Sequence, residues 1–144
     1  MPEIRPFRGV RYSPGEIGNM GSVIAPPYDV VSPEMRARLA AASPYNVIRL
    51  ELPQPADERD AYASAAHLYQ EWLTSGVMER EAMPALYPYA QSFRLPSGEE
   101  RTRAGFLTLL RLHDYSEGKV LPHEETLPKA KEDRFRLLSA ARAQ

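Results

Sequence analysis

The apolar and polar positions of the chain fall into short alternating runs and a few helical stripes. Residues 4–12 read as a short strand with a turn behind it at Ser13-Pro-Gly. Val23, Ile24 and Ala25 form a brief apolar run, read as a buried strand. Pro26 and Pro27 end it and fix the next residues in an extended form. Ser32-Pro-Glu-Met has the order of a helix start, with Ser32 as N-cap and Pro33 at the first helical position; Ser43-Pro44 stops that helix. Residues 46–52 alternate, with Ile48, Leu50 and Leu52 on one side and Val47, Arg49 and Glu51 on the other, which predicts a half-buried strand.

After a Pro53-Gln-Pro linker, Asp57, Glu58 and Asp60 load a helix start with negative charge. Ala61, Ala65, Leu68 and Trp72, with Tyr62, Tyr69 and Leu73, give that helix a broad apolar stripe, and Gly76 suits the position just past its end. Residues 86–95 and 101–112 read as strands joined by a hairpin at Pro96-Ser-Gly-Glu. Residues 106–110 look like a central strand. The last stretch reads as a helix, with Phe135, Leu138 and Ala141 on one stripe. The pattern as a whole predicts an α+β fold: a mixed, largely antiparallel sheet with flanking helices.

Composition narrows the function classes. A chain of 144 residues, 43% hydrophobic, suits one domain over residues 1–144. A net charge of −1 offers no basic surplus for nucleic acid. The absence of cysteine removes disulfides, a thiolate nucleophile and cysteine metal sites. No apolar run approaches the roughly 18 residues that span a bilayer, and the N-terminus lacks the apolar segment of a signal peptide. The expected setting is cytoplasmic, without nucleic acid or membrane. The final helix carries no stop signal. The expectation is therefore the N-terminal portion of a longer protein, its sheet incomplete and its remaining partner the later part of its own chain.

Candidate chemistry concentrates in residues 118–134. There His123, Glu124, Glu125, Thr126, Lys129, Lys131, Asp133 and Arg134 crowd together. Such groups serve phosphate or metal chemistry, and a solvated turn leading into a helix uses them too. Thr126 can cap the last helix, whose N-terminus with Lys129 could receive an anion. His123-Glu124 begins like the zinc-protease motif, but position 127 is Leu, so further ligands would come from Asp29, Glu51 or His113. No Walker loop and no nucleophile elbow occur. Tyr28 and Asp29 sit on a stiff loop after the double proline, which suits either a site or a corner before a helix. Asn46 fits a turn or a substrate contact. Arg5, Arg8 and Arg11 fit a solvated edge or an anion contact. His67 fits the surface.

Arg5-Pro-Phe-Arg, Ala25-Pro-Pro-Tyr-Asp-Val, Pro44-Tyr-Asn-Val-Ile-Arg-Leu, Tyr87-Pro-Tyr, Arg103-Ala-Gly-Phe, Pro122-His-Glu-x-Thr and Lys131-Glu-Asp-Arg follow one another in this order. Together they resemble the family catalogued as domain of unknown function 1015, over nearly the whole chain. Members run well beyond this length and carry a later Gly-His-His-Arg stretch. That stretch is similar to one in ParB/sulfiredoxin-like proteins, which include kinases of free serine. The resemblance implies nucleotide-dependent phosphoryl transfer to a small hydroxyl substrate, with ATP and Mg²⁺ as cofactors. On that reading His123, Glu124 and Asp29 are catalytic, with Asp29 as base or metal ligand. Lys129, Arg134 and Arg49 hold phosphate, and Tyr28, Asn46 and Thr126 touch the substrate. A metal-dependent hydrolase using His123 and Glu124, and a non-enzymatic ligand-binding regulatory module, stand as alternatives.

Overall fold

In the computed structural model, residues 1–123 and 127–142 are described. In chain order the elements are β1 (Ile4–Arg5), β2 (Val10–Tyr12), α1 (Pro14–Ile17), α2 (Met20–Val23), α3 (Pro33–Ala42), α4 (Ile48–Glu51), α5 (Ala61–Thr74), β3 (Met78–Arg80), β4 (Tyr87–Arg94), β5 (Glu100–Leu107), β6 (Leu109–Leu110) and α6 (Pro128–Ala141). Two further 3-10 turns cover Tyr28–Val30 and Tyr115–Glu117. The class is α+β, with helices and small antiparallel sheets. Among the described residues the strands form three two-stranded sheets, β1-β6, β2-β3 and β4-β5. Contacts divide the chain into a first unit, Met1–Val10 with Arg80–Glu125, and a second, Arg11–Glu79 with Thr126–Gln144.

The first unit is built on the β4-β5 hairpin, in register from Tyr87 opposite Leu107 to Arg94 opposite Glu100. Its turn closes through the Gly98 N–H to the Leu95 carbonyl, and Gly98 takes a positive φ of 87°, which a side chain would resist. Tyr87 folds over the N-terminal segment. Its ring meets Phe7 at 5.0 Å, its hydroxyl donates to the Phe7 carbonyl and it accepts from the Gly9 N–H. The expected central strand at 106–110 is corrected: β5 ends at Leu107, and β6 pairs with β1, Ile4 opposite Leu110 and Arg5 opposite Leu109. Thr108 marks the hand-over, its hydroxyl bonded to the Arg5 carbonyl. The apolar run does not mean burial here: Phe106, Leu107, Leu109 and Leu110 are all exposed.

The second unit holds every buried residue among those described. Its axis is α5, started by the Asp60 carboxylate accepting from the Ala63 N–H at 2.8 Å. Gly76, φ 82°, follows its end. Ala65, Tyr69 and Trp72 recur at helical spacing and face inward, as the stripe predicts. Trp72, 2% exposed, lies between Tyr12 at 6.0 Å and Tyr45 at 6.1 Å. Ser32 caps α3 as expected, accepting from the Met35 N–H.

Three sequence expectations change in this unit. The apolar run at 23–25 is not a strand: Asn19 caps α2 by accepting from the Gly21 N–H, and Val23 is the buried last residue of that helix. The alternating run at 46–52 is a turn and the short helix α4. Positions four apart satisfy both periods, so Ile48 and Leu52 fit either reading. Asn46 decides for the helix, its Oδ1 accepting from the Ile48 N–H at 3.0 Å. On α6 the inward residue is Leu137; Phe135 is 67% and Leu138 55% exposed. The N-cap position of α6 is Leu127 and Pro128 opens the helix. Thr126, the expected cap, lies outside the described residues. Among the described residues no helix is long and apolar enough to cross a membrane.

Candidate functional site

The short helix α4 ends in carbonyls that two arginines from other helices take up. Arg36, on α3, donates from Nε to the Leu52 carbonyl at 2.6 Å. Arg134, on α6, donates from Nη2 to the Glu51 carbonyl at 2.9 Å and from Nη1 to the Glu51 carboxylate at 3.0 Å. Guanidinium groups suit such carbonyls because the last turn of a helix leaves them without partners. Arg49 on α4 returns the favour, its Nη2 donating to the Ala40 carbonyl near the end of α3 at 2.6 Å. α3, α4 and α6 are thus tied by arginines, each reaching a backbone carbonyl of a neighbouring element.

Arg134 is the most connected of these side chains. It also holds the Asp133 carboxylate through Nε and Nη2, and its guanidinium carbon lies 4.3 Å from the centre of the Tyr28 ring. The Tyr62 hydroxyl on α5 donates to the other oxygen of Asp133 at 2.8 Å, and Arg136 covers the Tyr62 ring at 4.5 Å. The Arg134 hydrogen bond holds the Asp133 carboxyl below its ordinary range, with help from Tyr62. The same Asp133 bond holds the Tyr62 phenol above its own. The pair is therefore an ionised carboxylate and a neutral donor. Burial, then the charge of Arg49, lowers the Arg36 guanidinium from its usual value.

Arg36, Tyr62, Asp133 and Arg134 line one pocket of about 390 Å³, with Ser32 and Gln54 as further polar groups and Val31, Leu52 and Pro53 among its apolar wall. The volume fits a small metabolite. Two guanidiniums offer N–H groups to an anion, while Asp133 can accept from a hydroxyl.

The sequence candidates fall as follows. Tyr28, half-buried, lies under Arg134, and Asp29 is exposed beside it on the 3-10 turn. Asn46 is 1% exposed, its amide donating to the Ser22 and Ile24 carbonyls at 2.8 and 3.0 Å, so its side chain is engaged in the core. Arg49 lines a neighbouring pocket. Lys129 is exposed in the first turn of α6. His123 is exposed and belongs to the first unit; Glu124 and Thr126 lie outside the described residues. Of the metal candidates, Glu51 pairs with Arg134 in the second unit and His113 pairs with Glu117 at 3.2 Å in the first. Among the described residues no group of three His, Asp or Glu gathers as a metal would need. His67 is exposed. Arg5 pairs with Glu3, and Arg8 donates to the Glu81 carbonyl.

Sequence reasoning passed over Arg36 and read Tyr62 only as apolar stripe. No local signal marks Arg36. For Tyr62 the signal is its hydroxyl: a tyrosine on a helix stripe brings a donor to the face that packs.

The family described as protein of unknown function (DUF1015) has a model that matches residues 4–144 of this chain. No curated protein and no solved structure matches.

Proposed function

Because the chain belongs to the DUF1015 family of proteins of unknown function, we propose a function from the pocket itself: nucleotide-dependent phosphoryl transfer to a small hydroxyl substrate such as free serine. The observation that carries the reading is the meeting of Asp133, Tyr62, Arg134 and Arg36 around one pocket. Asp133, kept ionised by Arg134, accepts the substrate hydroxyl and orients it. Tyr62 fixes the carboxylate from its other side. Arg36 and Arg134 draw the anionic end of the substrate, or the charge that spreads over the phosphoryl oxygens during transfer. Phosphoryl transfer is catalysed mainly by such positioning and charge neutralisation.

ATP and Mg²⁺ are the cofactors of this proposal. A Mg²⁺ ion carried on nucleotide phosphates needs only one or two protein carboxylates, and Asp29, exposed beside Tyr28, is of the right type. Lys129, exposed in the first turn of α6, is the lysine suited to the nucleotide phosphates. His123 and Glu124 remain catalytic candidates from the sequence. The setting proposed is the cytoplasm.

The test is ADP release by the full-length protein with free serine and related small hydroxyl compounds, wild type against Asp133→Asn. The expected result is ADP release that depends on the acceptor and falls about 100-fold in the variant, the lower end of general acid–base contributions. ADP release without an acceptor, or equal rates in the two proteins, would overturn it. Binding without turnover would favour the regulatory module.

A further inference from the structure

Beside the Asp133 pocket lies a second one, of about 410 Å³, that shares Arg36 and Gln54 with it. Arg36, Arg49 and Arg59 line it, with His67 and the carboxylates of Asp57 and Glu71. We propose that the Arg36–Arg49–Arg59 pocket is a second site, one that binds a phosphate-type oxyanion.

The pocket wall carries uncompensated positive charge. Arginine stays protonated wherever it sits, so bringing two guanidiniums to one wall costs energy unless an anion offsets it. Arg36 and Arg49 form no ion pair among the described residues, and they donate to the Leu52 and Ala40 carbonyls. Among the described residues the buried Arg49 Nε has no hydrogen-bond partner. A buried donor in that state is a deficit that native structures seldom leave open. The carboxylates that line the pocket do not supply what is missing. Among the described residues Asp57, 85% exposed, pairs with Arg59 at 3.6 Å, an exposed pair of the weak kind. Glu71 is exposed on α5.

Arg59 comes to this wall on a tight turn. Ala56 and Arg59 exchange both backbone hydrogen bonds, and the two residues between them, Asp57 and Glu58, take φ of 49° and 65°. Three forked donors around a pocket of this size match the oxygens of a phosphate group better than a single carboxylate, which one arginine satisfies. The proposal does not need phosphoryl transfer to occur, only that an oxyanion bind here. Inorganic pyrophosphate and the phosphate tail of a nucleotide present the same chemistry.

Calorimetric titration of the full-length protein with pyrophosphate tests it. Pyrophosphate should bind, and Arg59→Ala should weaken binding at least tenfold. Arg49→Gln should do the same, with its thermal midpoint checked because Arg49 also ties α4 to α3. Asp133→Asn should bind pyrophosphate as the wild type does, even though it slows transfer about 100-fold under the proposed function. Displacement of pyrophosphate by ADP would assign the oxyanion to a nucleotide, and independence from ADP to a free phosphate; either outcome supports the site. No binding by the wild type, or unchanged affinity in Arg59→Ala, overturns it.

Discussion

Arg134 and Glu51 stand 83 positions apart in the chain and meet twice, side chain to side chain at 3.0 Å and side chain to backbone carbonyl at 2.9 Å. That double contact fixes α6 against the end of α4, and it places Asp133 and Tyr62 at the pocket. Arg134 is 22% exposed, while Glu51 and Asp133 are 47% and 39% exposed, so water screens the cluster in part. Arg134→Ala should destabilise the second unit by about 2 kcal/mol, the scale of a hydrogen bond to a charged group. Arg134→Lys should not restore it, because one ammonium cannot span Glu51 and Asp133 together. Urea unfolding decides, and a lysine variant as stable as the wild type would contradict the account.

Asn46 should be the least replaceable polar residue of the second unit. Its side chain serves the Ser22 and Ile24 carbonyls and the Ile48 N–H while almost wholly buried. Asn46→Ala leaves three backbone groups short of a partner, at about 1–3 kcal/mol each. A loss of roughly 3 kcal/mol or more is expected in chemical denaturation. A loss under about 1 kcal/mol, the scale of a surface substitution, would show that water replaces the amide.

Acid should release the α5–α6 link at Asp133. The Asp133 carboxyl is held below its ordinary value of 3.8 in the folded chain, first by Arg134. A depressed carboxyl contributes stability that is complete above its unfolded value and is lost as pH falls through the folded one. Thermal midpoints of wild type and Asp133→Asn should therefore differ most above about pH 4, the ordinary carboxylate range, and converge as the pH falls below it. A gap that stays constant down to pH 2 would remove the ion pair from the explanation.

Hydrogen exchange should separate the hairpin from the helix. The β4-β5 pair is two-stranded, and Tyr89, Phe93, Phe106 and Leu107 are exposed on it. Such a hairpin is marginal in water, whereas α5 carries Ala65, Tyr69 and Trp72 into a core. Amides of β4 and β5 should exchange faster than those in the middle of α5. Equal protection would show that this sheet is covered in solution.

Signals confined to a few residues were the legible ones. Ser32-Pro33, the stripe of α5 and the Pro96-Ser-Gly turn each act locally, and the structure follows them. The run at 46–52 fits a strand and a helix alike because Ile48 and Leu52 satisfy two periods at once; the Asn46 side chain, bonded to the Ile48 N–H, settles which. The run at 106–110 looks central in sequence because apolar character does not reveal how many neighbours a strand has. Of the pocket, Arg134 and the Asp133 beside it stood in the crowded stretch. Arg36 did not, because its meeting with the end of α4 depends on how three helices pack, and no spacing along the chain encodes that. The double proline before Tyr28 marks a stiff loop in the sequence, and the structure puts the Tyr28 ring under Arg134.

The most direct test of the phosphotransferase proposal is phosphorus NMR of the full-length protein with ATP, Mg²⁺ and free serine. The account expects ADP and a new phosphomonoester to grow in equal amounts, and neither to form at a comparable rate with Asp133→Asn. Inorganic phosphate as the sole product would indicate hydrolysis, and unchanged ATP would indicate no transfer to this acceptor; either spectrum contradicts the proposal for serine.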